Sequence, residues 1–259
     1  MTARVAVVFA HPDDDTYGVG ASLALHAGED LQVTAIITTS GEAGLIADDR
    51  LATRETLAEV REAEDRAAWA ALGLEPELHF LRHADGGVAN VSPEQLVATY
   101  LAILQAESPD VVITFGPDGV TGHDDHVAVG AAATAAFHAA RAAGAPGFHR
   151  LLHNGLMRSQ MDRFNELLRE RGMEPIDETQ PFQPRGVPDE RFGVIVDGTS
   201  VFERKVAALR EHRTQAELQD VPKDLWPEIL GTEAFVLAYP ERGPGAPVLR
   251  DVLAGLPDA

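Results

Sequence analysis

The 259 residues contain no cysteine. That excludes disulfides, thiolate catalysis and a cysteine-built zinc site, so any metal must be held by His, Asp or Glu. Lysine is almost missing too: Lys205 and Lys223 stand against 19 arginines, which with abundant alanine reads as genomic base composition. No stretch of about 18 apolar residues occurs, so no transmembrane helix is expected. The opening MTARVAVVFAHPDD meets acids instead of a small-residue cleavage site. It reads as a first strand, not a signal peptide, and the cytoplasm is the expected compartment. No G-x-S-x-G is present, which removes the usual serine hydrolase. GVGASL (18–23) lacks the third glycine of a dinucleotide fingerprint. DDDTY fails as a phosphotransferase D-x-D-x-T, because counting from Asp13 puts Tyr17 at the Thr position. Basic residues are scarce as a class: 41 acids face 21 bases, a formal charge of −20. Such a field repels phosphate backbones, so nucleic acid and anionic membranes are not expected partners.

What is present is ordinary for a globular chain, with 45% hydrophobic and 24% charged residues. Strand-like runs at 4–10, 31–39, 77–81 and 110–116 alternate with helical patterns at 16–28, 50–74, 92–107 and 126–144. In the long helix, Leu51, Leu57, Val60, Ala67, Ala68, Ala71 and Leu72 form the expected buried face, with Glu62 and Arg66 paired on the exposed one. Ser92 and Pro93 read as N-cap and first residue of the next helix. The rhythm is that of an α/β fold: a Rossmann-like, mostly parallel sheet with helices on both faces. After residue 145 it loosens into an irregular C-terminal third: strands at 148–157, 191–198 and 232–240, helices at 159–172 and 200–217, and a proline-rich loop at 173–190. A single domain over 1–259 is expected, with a core at 1–145 and an extension at 146–259 that completes the sheet and the pocket.

Ligands of open parallel sheets bind beyond the carboxyl ends of the strands. Two polar clusters fall there: AHPDDD (10–15) after the first strand, and GPDGVTGHDDHVAVG (116–130) after the strand DVVITF. Three adjacent aspartates repel one another unless solvent, backbone donors or a cation offsets their charge. Capping a helix needs one acid and leaves two histidine clusters unexplained. His11, Asp13, Asp14, His123, Asp125 and His126 together form the inventory of metal-assisted hydrolysis. Two imidazoles and a carboxylate can hold Zn²⁺ or Fe²⁺, a further carboxylate can act as base and a further imidazole as acid. His26, His79, His83, His138, His149 and His153 read as structural or solvated.

AHPDDD with GHDDH resembles the paired motifs of the zinc-dependent N-acetylglucosaminyl deacetylases, the PIG-L/LmbE-like family, usually written AHPDDE and HPDH or HxDH. TTSGEAG (38–44), LAEVREAEDRAAWAALGL, LRHADGG (81–87) and REHRTQ (210–215) resemble further family segments, so the likeness spans roughly 4–238. The resemblance implies that His11, Asp14 and His126 bind zinc. It makes Asp13 the base toward a metal-bound water, His123 the group that steadies the oxyanion or protonates the amine, and Asp125 its orienter. Arg61, and Asp85 as a second candidate, would meet the sugar. The chain departs from the pattern at Asp15, where the family has Glu, and at Asp124, where Pro is common. Thr121 stands where the thiol-biosynthesis branch has a tyrosine, which argues against assigning that branch's substrate by default. The expected reaction is hydrolysis of a linear amide, the N-acetyl group of an amino sugar or glycoconjugate, with Zn²⁺ inherited from the resemblance and Fe²⁺ or Co²⁺ open to the same ligands. A metal-dependent phosphoesterase and a non-catalytic zinc- or sugar-binding module are the rivals. The first needs more ligands than the two motifs offer, and the second has no use for Asp13 and His123. The sequence leaves open the acyl group and the sugar, the oligomeric state (a homo-oligomer included) and the role of His212; specificity is expected to lie in the segments 43–50, 83–91 and 155–190.

Overall fold

The computed structural model describes residues 2–215, 221–243 and 245–257. Strands β1 (Ala3–Phe9), β2 (Leu31–Thr39), β3 (Glu77–His83), β4 (Val111–Phe115), β5 (Arg150–Met157), β6 (Gly186–Val187), β7 (Phe192–Asp197) and β8 (Thr232–Tyr239) form the sheet. The helices are α1 (Asp14–Ala24), α2 (Leu57–Leu72), α3 (Pro93–Glu107), α4 (Gly119–Gly122), α5 (Asp124–Ala142), α6 (Arg158–Glu170), α7 (Phe202–Glu211) and α8 (Trp226–Leu230). The strand order is β3-β2-β1-β4-β5-β8-β7, with the short β6 paired to β5. The first five strands are parallel, and β8 and β7 join antiparallel. This is the expected mostly parallel α/β fold.

The order explains where a site can form. The chain lays β2 and β3 on one side of β1, then returns to place β4 and β5 on the other. The loops leaving β1 and β4 therefore diverge, and a crevice opens between them. Right-handed crossovers put the helices before and after this reversal on opposite faces. The packing agrees: α3 lies against α5, while α7 packs on α1 and α2. Covered on both faces, β1 and β4 are apolar throughout their buried lengths, Val5–Phe9 and Val111–Phe115, except for Thr114.

Several expected elements are adjusted. The helix expected from residue 50 begins at Leu57, because Thr53 and Thr56 bond to each other in a local turn that competes with helix. The expected Glu62–Arg66 pair forms at 3.9 Å, but Glu62 is buried instead of exposed and also accepts from Ser40 and from Arg82. Val60, Ala67 and Ala71 are only half-buried. The helix expected over 200–217 ends at Glu211, and its residues 216–217 lie outside the described ones. The short α8 was not expected. Ser92 caps α3 as expected, its Oγ accepting from Gln95 N–H. Among the described residues no helix is long and apolar enough to cross a membrane.

Candidate active site

Strands β1 and β4 are sheet neighbours, with Val5 opposite Val111 and Val8 opposite Thr114. His11 and His126 thereby meet although 115 positions separate them. His11 Nδ1 lies 3.2 Å from His126 Nε2 and 3.2 Å from Asp14 Oδ2, and His126 Nε2 lies 3.4 Å from Asp14 Oδ1. A tetrahedral ion with bonds of about 2.0–2.1 Å sets its ligand atoms about 3.3–3.4 Å apart. The two histidine nitrogens and the Asp14 carboxylate, which meets His11 through Oδ2 and His126 through Oδ1, form a triangle of groups at spacings of that order.

The other ring nitrogens explain why these faces are turned inward. His126 Nδ1 is 3.0 Å from the carbonyl of Gly119, a donor's position, which leaves the Nε2 lone pair for the triangle. Gly119 has φ +62°, and a Cβ there would come within 2.9 Å of His126 Cβ, so glycine is what lets the turn approach. His11 Nε2 faces Asp85 Oδ1 at 3.0 Å and Asp125 Oδ2 at 3.5 Å. His11, Asp85 and Asp125 form one His/Asp cluster that could hold an ion, and His11, His123 and His126 another. Asp14 meets His11 at Nδ1, and the Asp85 and Asp125 oxygens sit on the opposite edge of the His11 ring, at Nε2. They are placed to orient that ring.

Electrostatics follow the same division. Burial opposes a charge on His11, but Asp125, Asp14 and Asp85 outweigh it and raise the imidazole well above its ordinary value. Burial would push Asp14 up, yet His126 and His11 hold it well below the carboxylate range. His123 is lowered, first by burial and then by the neighbouring His11 and His126. Its Nδ1 accepts from Asp125 N–H at 3.1 Å, so the neutral ring carries its proton on Nε2 and can donate from there.

Asp125 meets His123 through its backbone and His11 through its side chain. Its carboxylate accepts from Gly86 N–H and Val88 N–H and turns to His11, while its backbone N–H, not its side chain, orients His123. Asp13 sits at φ 111°, a backbone conformation costly for a side-chain-bearing residue. Its carboxylate is met by Arg61 Nη2 at 2.7 Å. Arg61 is buried and its guanidinium also donates to Pro12 O and Gly41 O, so it anchors the loop. A Cβ at Gly41 (φ +67°) would lie 2.1 Å from Arg61 Nη1. Asp85 meets His11 and accepts from Ala43 N–H.

Sequence reasoning missed the support behind this loop. Asp15 is fully buried and accepts from Trp69 Nε1 and from Thr16 N–H, each at 2.7 Å. The carboxyl of Asp65 lies against it. Burial first, then Asp15, raise Asp65 well above its usual range, while burial lifts Asp15 to about 6. Burial and the facing carboxyls thus both favour the protonated forms. Asp65 and Trp69, four apart on α2, were a detectable signal: a charged residue and an indole on one helix face. His212 is buried against Thr16 Oγ1 at 3.0 Å, and Thr214 binds Glu64 through both N–H and Oγ1. The segment 210–215 thus braces α1 and α2. Phe182, in the 173–190 loop, was also missed: it is 61% exposed with its ring centroid 4.8 Å from that of His123.

A Rossmann-like sheet whose reversal point gathers this donor triangle beside Asp13 and His123 defines a metal-assisted amidohydrolase. The chain belongs to the PIG-L family: the profile of the GlcNAc-PI de-N-acetylases matches residues 6–137. It is 32% identical to the 1D-myo-inositol 2-acetamido-2-deoxy-alpha-D-glucopyranoside deacetylase of Geodermatophilus obscurus, over 98% of each chain. Its fold resembles that of N,N'-diacetylchitobiose deacetylase from Pyrococcus horikoshii, with TM-score 0.58 and 22% identity over 90% of this chain and 82% of that one. It also resembles the 4-carboxy-2-hydroxymuconate hydratase of Pseudomonas putida, with TM-score 0.57 and 19% identity over 95% and 100%. That last likeness is one of fold alone, and it shows that the fold by itself does not select amide chemistry.

Proposed function

We propose that the protein hydrolyses the N-acetyl amide of an N-acetylglucosamine-type sugar or glycoconjugate, with His11, Asp14 and His126 holding a divalent ion. The observation that carries this reading is the convergence of His11 Nδ1, His126 Nε2 and the two Asp14 oxygens, with His11–His126 at 3.2 Å, His11–Oδ2 at 3.2 Å and His126–Oδ1 at 3.4 Å. Zinc is the proposed metal; Fe²⁺ and Co²⁺ suit the same donors. When bound, such an ion polarises the amide carbonyl and acidifies the attacking water. Asp13, held by Arg61, takes the proton of that water. His123, neutral and protonated on Nε2, donates to the oxygen that gains charge and then to the departing amine. Asp85 and Asp125 keep the His11 ring in place. The relatives' substrates, 2-acetamido sugars, support the amide and the sugar.

We further propose that residues 1–259 act as one domain in the cytoplasm. One apolar core running from Val5 to Val252 supports the first part. The test is metal content together with amine release. Purified protein should carry about one metal per chain and free the amine of N-acetylglucosamine or a glycoside of it, and a chelator should stop the reaction. Stoichiometric metal with no amine released from any N-acyl sugar would overturn the proposed activity; no metal under any loading would overturn the site.

A further inference from the structure

A cavity of about 400 Å³ opens against two of the three triangle residues, Asp14 and His126. Its size is typical of a small-molecule site and many times what an acetyl methyl group needs. Beyond those two residues most of its surface is apolar, with Phe115, Leu156, Met161, Phe164, Ile176 and Ile229 contributed by β4, β5, α6, the 173–190 loop and α8, while Asn154, Thr232 and Tyr17 are among the polar residues on it. Two of the charged groups on its wall, Lys205 and Glu233, are engaged with the protein itself. Lys205 Nζ donates to Glu233 Oε1 at 2.6 Å and to Tyr17 O at 2.9 Å, while Glu233 accepts from Ala21 and Ser22 N–H. A polyol such as a second sugar or a cyclitol would lose its water there with few partners in return, whereas an alkyl chain would lose nothing. Thr121, Gln160 and Glu228 also line it.

We propose that this chamber receives an apolar chain of the substrate several carbons long, so that the enzyme prefers amides carrying such a chain to N-acetylglucosamine itself. The inference rests on the amidohydrolase reading and names a substrate class for that site. The chain can enter from two parts of the substrate, as the acyl group on nitrogen or as the group on the anomeric oxygen.

Two series separate these sources. In one, glucosamine carries acetyl, butanoyl, hexanoyl or octanoyl on nitrogen. In the other, N-acetylglucosamine carries methyl, butyl, hexyl or octyl on the anomeric oxygen. Amine release gives kcat/KM for each. One series should rise about two- to fourfold per methylene until the chamber is full, and which one rises identifies the source. Flat or falling profiles in both overturn the proposal while leaving the amidohydrolase intact. Ile229→Trp should erase the chain-length gain; Ile176→Trp, in a loop, serves the same purpose if the first variant folds poorly. Calorimetric binding of methyl, hexyl and octyl glucosides to the protein needs no turnover. If no amide is cleaved, affinity that tightens with alkyl length and is lost in Ile176→Trp supports the chamber, and affinity independent of length overturns it.

Discussion

Around His11, Asp14 and His126 nearly every contact is a charge or a hydrogen bond, whereas the cavity on the far side of Asp14 and His126 is walled by Leu156, Met161, Phe164 and Ile229. The polar side is built by residues before 127 together with the 212–215 segment, and the apolar side largely by residues after 153. The polar side is over-determined. Arg61, Glu62, Glu64 and Asp65, consecutive but for Ala63, are all buried and reach Asp13, Ser40, Thr214 and Asp15 respectively. Ions out of water are tolerated only when paired, so each of these contacts is needed for the next. The apolar side tolerates change, because side chains of similar volume exchange there at small cost. Chemistry and selectivity are thus separated in the molecule, and the two sides should respond differently to substitution.

The sharpest break in that division should come from Asp13→Asn. If Asp13 is the base, kcat falls by about 10²–10⁴-fold with metal content unchanged; kinetics and metal analysis of the same preparation check both. A loss of metal in parallel would move Asp13 into the ligand set.

Arg61→Leu should come next, and in stability as well as activity. It removes the buried guanidinium that donates to the half-buried Asp13 carboxylate and to the Pro12 and Gly41 carbonyls, a loss of about 1–3 kcal/mol measurable by urea unfolding. Arg61→Lys should recover little, because a lysine cannot span Asp13, Pro12 O and Gly41 O at once.

The Asp15–Asp65 pair permits a finer test through pH. Both carboxyls are raised in the folded protein, Asp15 to about 6 and Asp65 well above the ordinary carboxylate range. Between about 4, the unfolded value, and the folded values, the native state holds protons that the unfolded chain has lost. Stability therefore falls as pH rises through 6 and beyond. Asp65→Asn keeps a donor toward Asp15 without needing that proton. It should raise the melting temperature at pH 8 by a few degrees, where about 1 kcal/mol corresponds to roughly 2–4 °C, and change it little at pH 5. An equal gain at both pH values would mean the two carboxyls are not raised.

The smallest expected effect lies far from the site. His26 is raised to about 9, chiefly by Asp251 and against partial burial, with help from Glu29. Its contribution is complete below about 6.5, the unfolded value, and lost as pH climbs to about 9. His26→Gln should flatten the stability profile across that window by about 0.2–1 kcal/mol, since water screens the pair. Chemical unfolding at pH 6.5 and 9 measures it, and the amidase reaction should be unaffected.

Much of the fold was legible because strand and helix periods are local properties. The runs at 4–10, 31–39 and 110–116 are apolar because they are covered on both faces, and Ser92–Pro93 marks a helix start by its own chemistry. Helix α2 was misread at one face for a physical reason. Its buried side holds Arg61, Glu62, Glu64 and Asp65, and a hydrophobic pattern assigns such residues to solvent. Their partners lie at 13, 40, 214 and 15, and nothing in a helical repeat announces them. Phe182 was equally hidden, since a proline-rich loop has no periodicity to show what it covers.

The sequence by itself determined the chemical inventory: with no cysteine, the two His/Asp clusters at strand ends had to carry any metal, and the alternating elements had to form a parallel sheet. The tertiary structure alone decided how that inventory is used. Reversal of strand order between β1 and β4 brings His11 to His126, Gly119 fixes which nitrogen of His126 faces inward, and Asp125 turns to His11 instead of His123. Those outcomes depend on which strands are neighbours and which polar groups are left without water, and both are properties of the folded chain.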